Sequence, residues 1–219
     1  MPKQPQLECV VSVRIDLPPL IAKRILAIQR KFSVYYPGHK DSYPHITLYY
    51  SRFNPKKLGD LRSKLKELAI KPFKISFRGV MSNQKPHNKG LFVYVEPGNL
   101  RLIRRIHRQV LPIMNELRGG LMRRHDLERT RKGEYSPAQM RYLKEYGSWA
   151  VLSLFDPHIT IGEIPGSPSE QRKKLAAIKS GLRNIVGRSS VIGHLTLRRS
   201  YKNKDGVYIN SKNYKIPLK

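Results

Sequence analysis

Apolar residues in this chain alternate between short β-branched runs and longer stretches with helical spacing. Residues 8–15, ECVVSVRI, predict a strand. Pro18 and Pro19 open a helix to about Phe32, with Leu20, Ile21, Ile25, Ile28 and Phe32 near helical spacing. A polar loop, Tyr36-Pro37-Gly38-His39-Lys40-Asp41-Ser42, leads into a strand at 44–50. Residues 55–70 form an amphipathic pattern on Leu58, Leu61, Leu65 and Leu68. Strands near 73–81 and 91–96 follow, joined by a Lys-, Asn- and Pro-containing loop. A basic helix over 98–118, a strand at 157–162 and a polar helix near 168–182 come next. Strands near 189–198 and 206–216, with Lys204-Asp205-Gly206 at their turn, close the order.

The second half of this order rhymes with the first, so the pattern predicts an α+β fold built from a duplicated β-α-β-α-β-β unit. Residues 119–149 fit no part of the repeat and read as a basic surface insertion with a short helix at 137–146. Two roles fit it. One is a solvated loop, and the other is an arm that contacts nucleic acid through Arg123, Arg124, Arg129, Arg131 and Lys132.

The repeat contains a near-identical pair, Pro44-His45-Ile46-Thr47-Leu48 and Pro157-His158-Ile159-Thr160-Ile161. On a strand, residues two apart share a face. His45 then stands beside Thr47 and His158 beside Thr160, while the intervening apolar residues anchor the other face. Cleaving a phosphodiester needs a base for the attacking oxygen and an acid for the leaving oxygen. Two imidazoles can hold opposite protonation states near neutral pH. Two threonine hydroxyls can donate to the non-bridging phosphate oxygens. A single such motif is weak, because a strand histidine is usually structural. Two copies at matching places in a repeat are strong. A third match, His194-Leu195-Thr196-Leu197, lacks the proline and reads as a structural strand, with His194 an alternative to His158. His39 and His87 fall in loops, His107 on the basic helix and His125 in the insertion, all without ligand-like neighbours.

Charge sharpens the substrate class. Lys and Arg number 43 against 15 acidic residues, a formal +28, which favours a polyanionic partner such as RNA. Cys9 is the one cysteine, so no internal disulfide or cysteine zinc site exists, and it reads as a buried small hydrophobe. No run approaches the ~20 apolar residues of a membrane span. Met1-Pro2-Lys3-Gln4-Pro5 carries no signal-peptide apolar region, so a cytoplasmic location is expected. No Gly-rich phosphate loop and no Gly-x-Ser-x-Gly elbow occurs. The expectation is a monomer with no cofactor, no metal and no membrane partner. Tyr36, Tyr43, Tyr50, Tyr201 and Tyr208 are candidate stacking faces for bases.

These motifs resemble the 2H phosphoesterase superfamily, in particular its RNA 2',3'-cyclic phosphodiesterase and 2'-5' RNA ligase branch. The likeness covers nearly the whole chain outside 119–149 and includes the ending His194–Ser200 and Gly206-Val207-Tyr208. It implies a bilobal fold with two antiparallel sheets around a central groove. One domain, 1–219, would then hold one lobe at about 1–97 and another at about 98–219, with room for strands to exchange between them. It implies His45 and His158 as the catalytic pair and Thr47 and Thr160 as phosphate-binding hydroxyls. The chain departs from the family pattern at Glu163, where many relatives carry a basic residue, and in 119–149. The implied reaction is metal-free hydrolysis of 2',3'-cyclic phosphate RNA ends to 2'-phosphates. One histidine activates water and the other protonates the departing oxygen. The working assignment, not implied by the resemblance, makes His158 the base and His45 the acid. The alternatives are 2'-5' RNA ligation, cleavage of 2'-5' oligonucleotides, and RNA binding without catalysis.

Overall fold

Strand β1 (Glu8–Asp16) is apolar and β-branched along nearly its whole length because both of its edges are paired inside a sheet. The computed structural model describes residues 7–35, 43–84, 90–203 and 207–219. His39, His87, Tyr36 and the turn at Lys204-Asp205-Gly206 lie outside the described residues. After β1 come helix α1 (Pro19–Phe32), β2 (His45–Arg52), α2 (Leu58–Glu67), β3 (Phe73–Gln84) and β4 (Leu91–Pro97). Then follow α3 (Leu100–Arg118), α4 (Arg124–Arg131), α5 (Pro137–Tyr146), β5 (Ile159–Ile164), α6 (Pro168–Gly181), β6 (Ser189–Ile192), β7 (His194–Lys202) and β8 (Tyr208–Pro217).

The eight strands run in the order β6-β3-β4-β5-β2-β1-β7-β8, with every neighbouring pair antiparallel. The middle seam is thin, since β2 and β5 pair at one position, Ile46 with Ile159. Two four-stranded antiparallel halves therefore meet at this narrow seam, and the sheet face opposite α1 and α3 is the groove face expected from the sequence. Each half mixes early and late chain: β3 and β4 join β5 and β6, while β7 and β8 join β1 and β2. Helices α1 and α3 pack on the face away from the groove, α3 against β2, and α1 against β5 and α6. Val11, Val13, Ile15, Ile46, Leu48, Ile159, Ile161, Leu195 and Leu197 are buried beneath them. Each such side chain contributes about 1.5–3 kcal/mol relative to exposure.

Of the two readings of 119–149, the solvated loop does not describe it, because the segment packs against the domain. α5 stands at the expected place, begun by Ser136 in a reciprocal cap with Gln139. α4 was not expected, and its Asp126 is fully buried. Tyr135, Tyr142 and Leu143 are buried too. Arg118 is buried at the end of α3 and donates to the carbonyls of Leu121 and Glu145, which ties the segment down at both ends. Cys9 is buried as expected, and burial pushes its thiol pKa up.

Candidate active site

The seam decides the geometry. Around the Ile46–Ile159 pair, antiparallel register sets His45 opposite Thr160 and Thr47 opposite His158. Ile46 and Ile159 are buried on the helix side, so these four polar residues share the groove face. His45 and His158 then lie diagonally across the seam, with about 7–8 Å expected between the backbones of such neighbours.

The two imidazoles are held alike. His45 Nδ1 lies 2.6 Å from the Tyr43 carbonyl, and His158 Nδ1 lies 2.8 Å from the Asp156 carbonyl. A carbonyl only accepts, so each Nδ1 carries a proton, and Nε2 is the nitrogen left to bind or release one. The nitrogen not bonded to the backbone carbonyl is thus the same on both rings.

Both strands bulge just after the motif. Val13 pairs with Tyr49 and Arg14 with Thr47, which makes Leu48 the extra residue in β2. Val93 pairs with Gly162 and Tyr94 with Thr160, which makes Ile161 the extra residue in β5. The bulges return Tyr50 and Glu163 to the groove face, three residues after each threonine. Tyr50 shares a hydrogen bond with the Tyr208 hydroxyl. Glu163 accepts from the Gly90 backbone N–H at 2.5 Å. Gly162 has to be glycine, because a Cβ there would lie 2.7 Å from the Val34 carbonyl carbon.

The neighbours on the two sides differ. On the β2 side Arg14 is only 1% exposed, and its Nε is 2.8 Å from Asp16 in an ion pair. Arg14 adjoins Thr47 on one side and Thr196 on the other, and Thr196 Oγ1 donates to Asp16 at 2.8 Å. Burial lowers the Arg14 pKa, and Asp16 works against that. On the β5 side the neighbours are rings. His158 meets Phe92 and Tyr94 edge-on, each with ring centres 5.7 Å away. Burial, with Asp156 and Glu96 adding to it, raises the Tyr94 pKa.

The other expected residues divide. His194 opens β7, two strands from the seam, on the face that carries Thr196. Arg123 is partly buried, with 16% of its side chain exposed. It grips Asp126 through two bonds at 2.5 and 2.8 Å and covers the Tyr50 ring at 4.4 Å. Burial opposes its charge, but Asp126 outweighs this and raises its pKa. Arg129 pairs with Glu134 at 2.7 Å. The Arg124 backbone N–H donates to Glu8, while the Arg131 and Lys132 side chains are exposed. Among the tyrosines named from sequence, Tyr43 supplies the carbonyl that holds His45, and Tyr50 and Tyr208 share a hydrogen bond, while Tyr94 meets the His158 ring edge-on. Arg14, Asp16, Phe92 and Tyr94 were not singled out from sequence. A charge pair inside an apolar strand, Arg14 and Asp16, was the available signal. Among the described residues, no three His, Cys, Asp or Glu side chains gather where a metal ion could be held. Nor is any helix among them long and apolar enough to cross a membrane.

Two His-x-Thr strands meeting at the centre of a duplicated antiparallel fold define a two-histidine phosphoesterase scaffold. Residues 17–203 match the 2'-5' RNA ligase superfamily, and the chain belongs to that family. Its fold is similar to that of Escherichia coli LigT complexed with NADP+, at 15% identity and TM-score 0.51, over 99% of both chains. It is also similar to the protein TT0787 of Thermus thermophilus, at 17% identity and TM-score 0.55, over 96% of this chain and 99% of that one. No curated protein matches the sequence.

Proposed function

We propose that this chain is an RNA phosphoesterase that opens 2',3'-cyclic phosphate ends to 2'-phosphates using His45 and His158, without a metal ion. The observation that carries this is the Ile46–Ile159 seam, which turns both motifs onto one groove face. The cyclic phosphate sits between the two imidazoles. Nε2 of His158 takes a proton from water as the water oxygen bonds to phosphorus. The bond from phosphorus to the 3'-oxygen breaks on the opposite side, and Nε2–H of His45 protonates that oxygen. The products are a 2'-phosphomonoester and a free 3'-hydroxyl. Solvent exchange then resets both rings. Thr47 and Thr160 hydroxyls donate to the non-bridging oxygens. The +28 charge draws RNA to the groove, and Arg124, Arg131 and Lys132 supply contacts beyond it.

The family name supports a second reading, in which the same pair makes or breaks a 2'-5' linkage. One assay separates the readings. An oligoribonucleotide ending in a 2',3'-cyclic phosphate is incubated with the protein in excess EDTA, and products are resolved by mass and by phosphatase sensitivity. A 2'-phosphate end is expected. Loss of turnover in EDTA, or a 3'-phosphate product, contradicts the mechanism. Joined strands point to ligation. RNA binding without any turnover points to a binding protein on this scaffold.

A further inference from the structure

The bulge behind each motif is held by a polar side chain from a helix of the opposite part of the chain. His107 of α3 is buried behind β2, with Nδ1 2.7 Å from the carbonyl of Leu48, the extra residue after Thr47. Gln29 of α1 is buried behind β5, and its Nε2 donates at 2.6 Å to the carbonyl of Ile161, the extra residue after Thr160. The arrangement repeats across the seam although the two side chains differ.

His107 reaches the second motif as well. Its Nε2 accepts from the Leu152 backbone N–H at 3.1 Å, and its ring stacks on Phe155 at 3.9 Å and 11°. With Nε2 accepting, Nδ1 carries the proton, so both nitrogens are engaged by a neutral ring. Leu152 has φ +52, a left-handed conformation that costs a leucine about 1–2 kcal/mol and persists only where its surroundings impose it. The turn it starts, Leu152–Leu154, leads through Pro157 to His158. One imidazole therefore fixes the bulge that aims Thr47 and the turn that delivers His158. Gln29 bears a cost for its single bond: its Oε1 is buried with no hydrogen-bond partner among the described residues.

We infer that His107 and Gln29 are positioning residues that set the register of the two His-x-Thr motifs from behind the sheet. The inference rests on the reading of the groove given above. Neither side chain touches substrate. Each holds a bulge carbonyl, and the bulge sets which way the threonine and the residue three beyond it point.

The test compares His107→Phe, which keeps the ring stack and removes both hydrogen bonds, with His107→Gln, which keeps a donor and an acceptor. Gln29→Met removes the bond to Ile161 at nearly constant volume. On a cyclic-phosphate RNA end, His107→Phe should lower kcat by about 10²-fold with KM little changed, as expected for misplaced reacting groups. His107→Gln should recover most of that loss at a melting temperature matching His107→Phe. Gln29→Met should lower kcat less, because it touches one motif only. The imidazole Cε1–H resonances of His45 and His158 give a readout that does not need turnover. His107→Phe should shift both sets, and Gln29→Met should shift His158 alone. Wild-type kcat and unmoved resonances in His107→Phe overturn the inference. Turnover that survives His45→Ala and His158→Ala sinks the reading of the groove instead, and the resonances still decide the positioning role.

Discussion

The two sides of the groove share one skeleton and differ in what surrounds it. On each side a proline precedes a histidine, Nδ1 bonds the carbonyl two residues back, and a bulge follows the threonine. Around that skeleton the β2 side is ionic, with Arg14, Asp16 and Thr196 interlocked. The β5 side is aromatic, with Phe92 and Tyr94 against His158. The shared parts suit a group with two equivalent faces, which a phosphate has. The differing parts suit a substrate with two unlike ends. Under the proposed reading, symmetry serves the chemistry and its loss serves orientation of the strand that carries the phosphate.

The sharpest way to break the comparison is to remove the shared part. His45→Ala and His158→Ala should each lower kcat by about 10²–10⁴, the range for one general acid or base. Both rings are only half buried, so melting temperatures should hold. A variant that keeps wild-type turnover shows that the two motifs are not equivalent.

The insertion braces the β2 side through Arg123 over Tyr50 and Glu8 against the Arg124 backbone, and meets the turn before His158 through the Tyr142–Ser153 hydroxyl pair. Asp126→Ala leaves Arg123 without its carboxylate and Tyr135 without its acceptor. It should cost about 3–5 kcal/mol, the range for breaking a buried pair, measured by urea unfolding. A loss below about 1 kcal/mol, the range of an exposed pair, shows the segment to be a loosely attached flap. A smaller effect is expected from the aromatic side. Tyr94→Ala should raise KM by an amount corresponding to about 1–3 kcal/mol of lost stacking, with kcat nearly unchanged, in steady-state assays on a cyclic-phosphate RNA. An equal loss in kcat with KM constant shows that Tyr94 acts on the histidine and not on the substrate.

The sequence showed much of this in advance, for physical reasons. Most of the element order came from apolar periodicity, although the one strand expected near 189–198 divides at Gly193 into β6 and β7, which lie in different halves of the sheet. The paired motifs stood out because a strand's alternation fixes which side chains share a face. What it hid were facts decided by partners distant in the chain. The bulges at Leu48 and Ile161 exist only relative to β1 and β4. α4 has no apolar stripe, so its burial was invisible: Asp126 goes inside because Arg123 and Tyr135 meet it there. His107 looked isolated on a basic helix, yet it sits among Ile103, Ile106, Val110, Leu111 and Met114 on the buried stripe. A polar residue in that stripe was the signal that could have found it.

The pH dependence of kcat/KM tests the central claim most directly, because it asks whether two groups of opposite protonation serve one reaction. The wild type should give a bell on the cyclic-phosphate substrate. Residual activity of His158→Ala should lose the acidic limb, where the base is protonated, and that of His45→Ala should lose the alkaline limb, where the acid is deprotonated. A wild-type bell that both variants retain unchanged would contradict the assignment of these imidazoles as the acid and base.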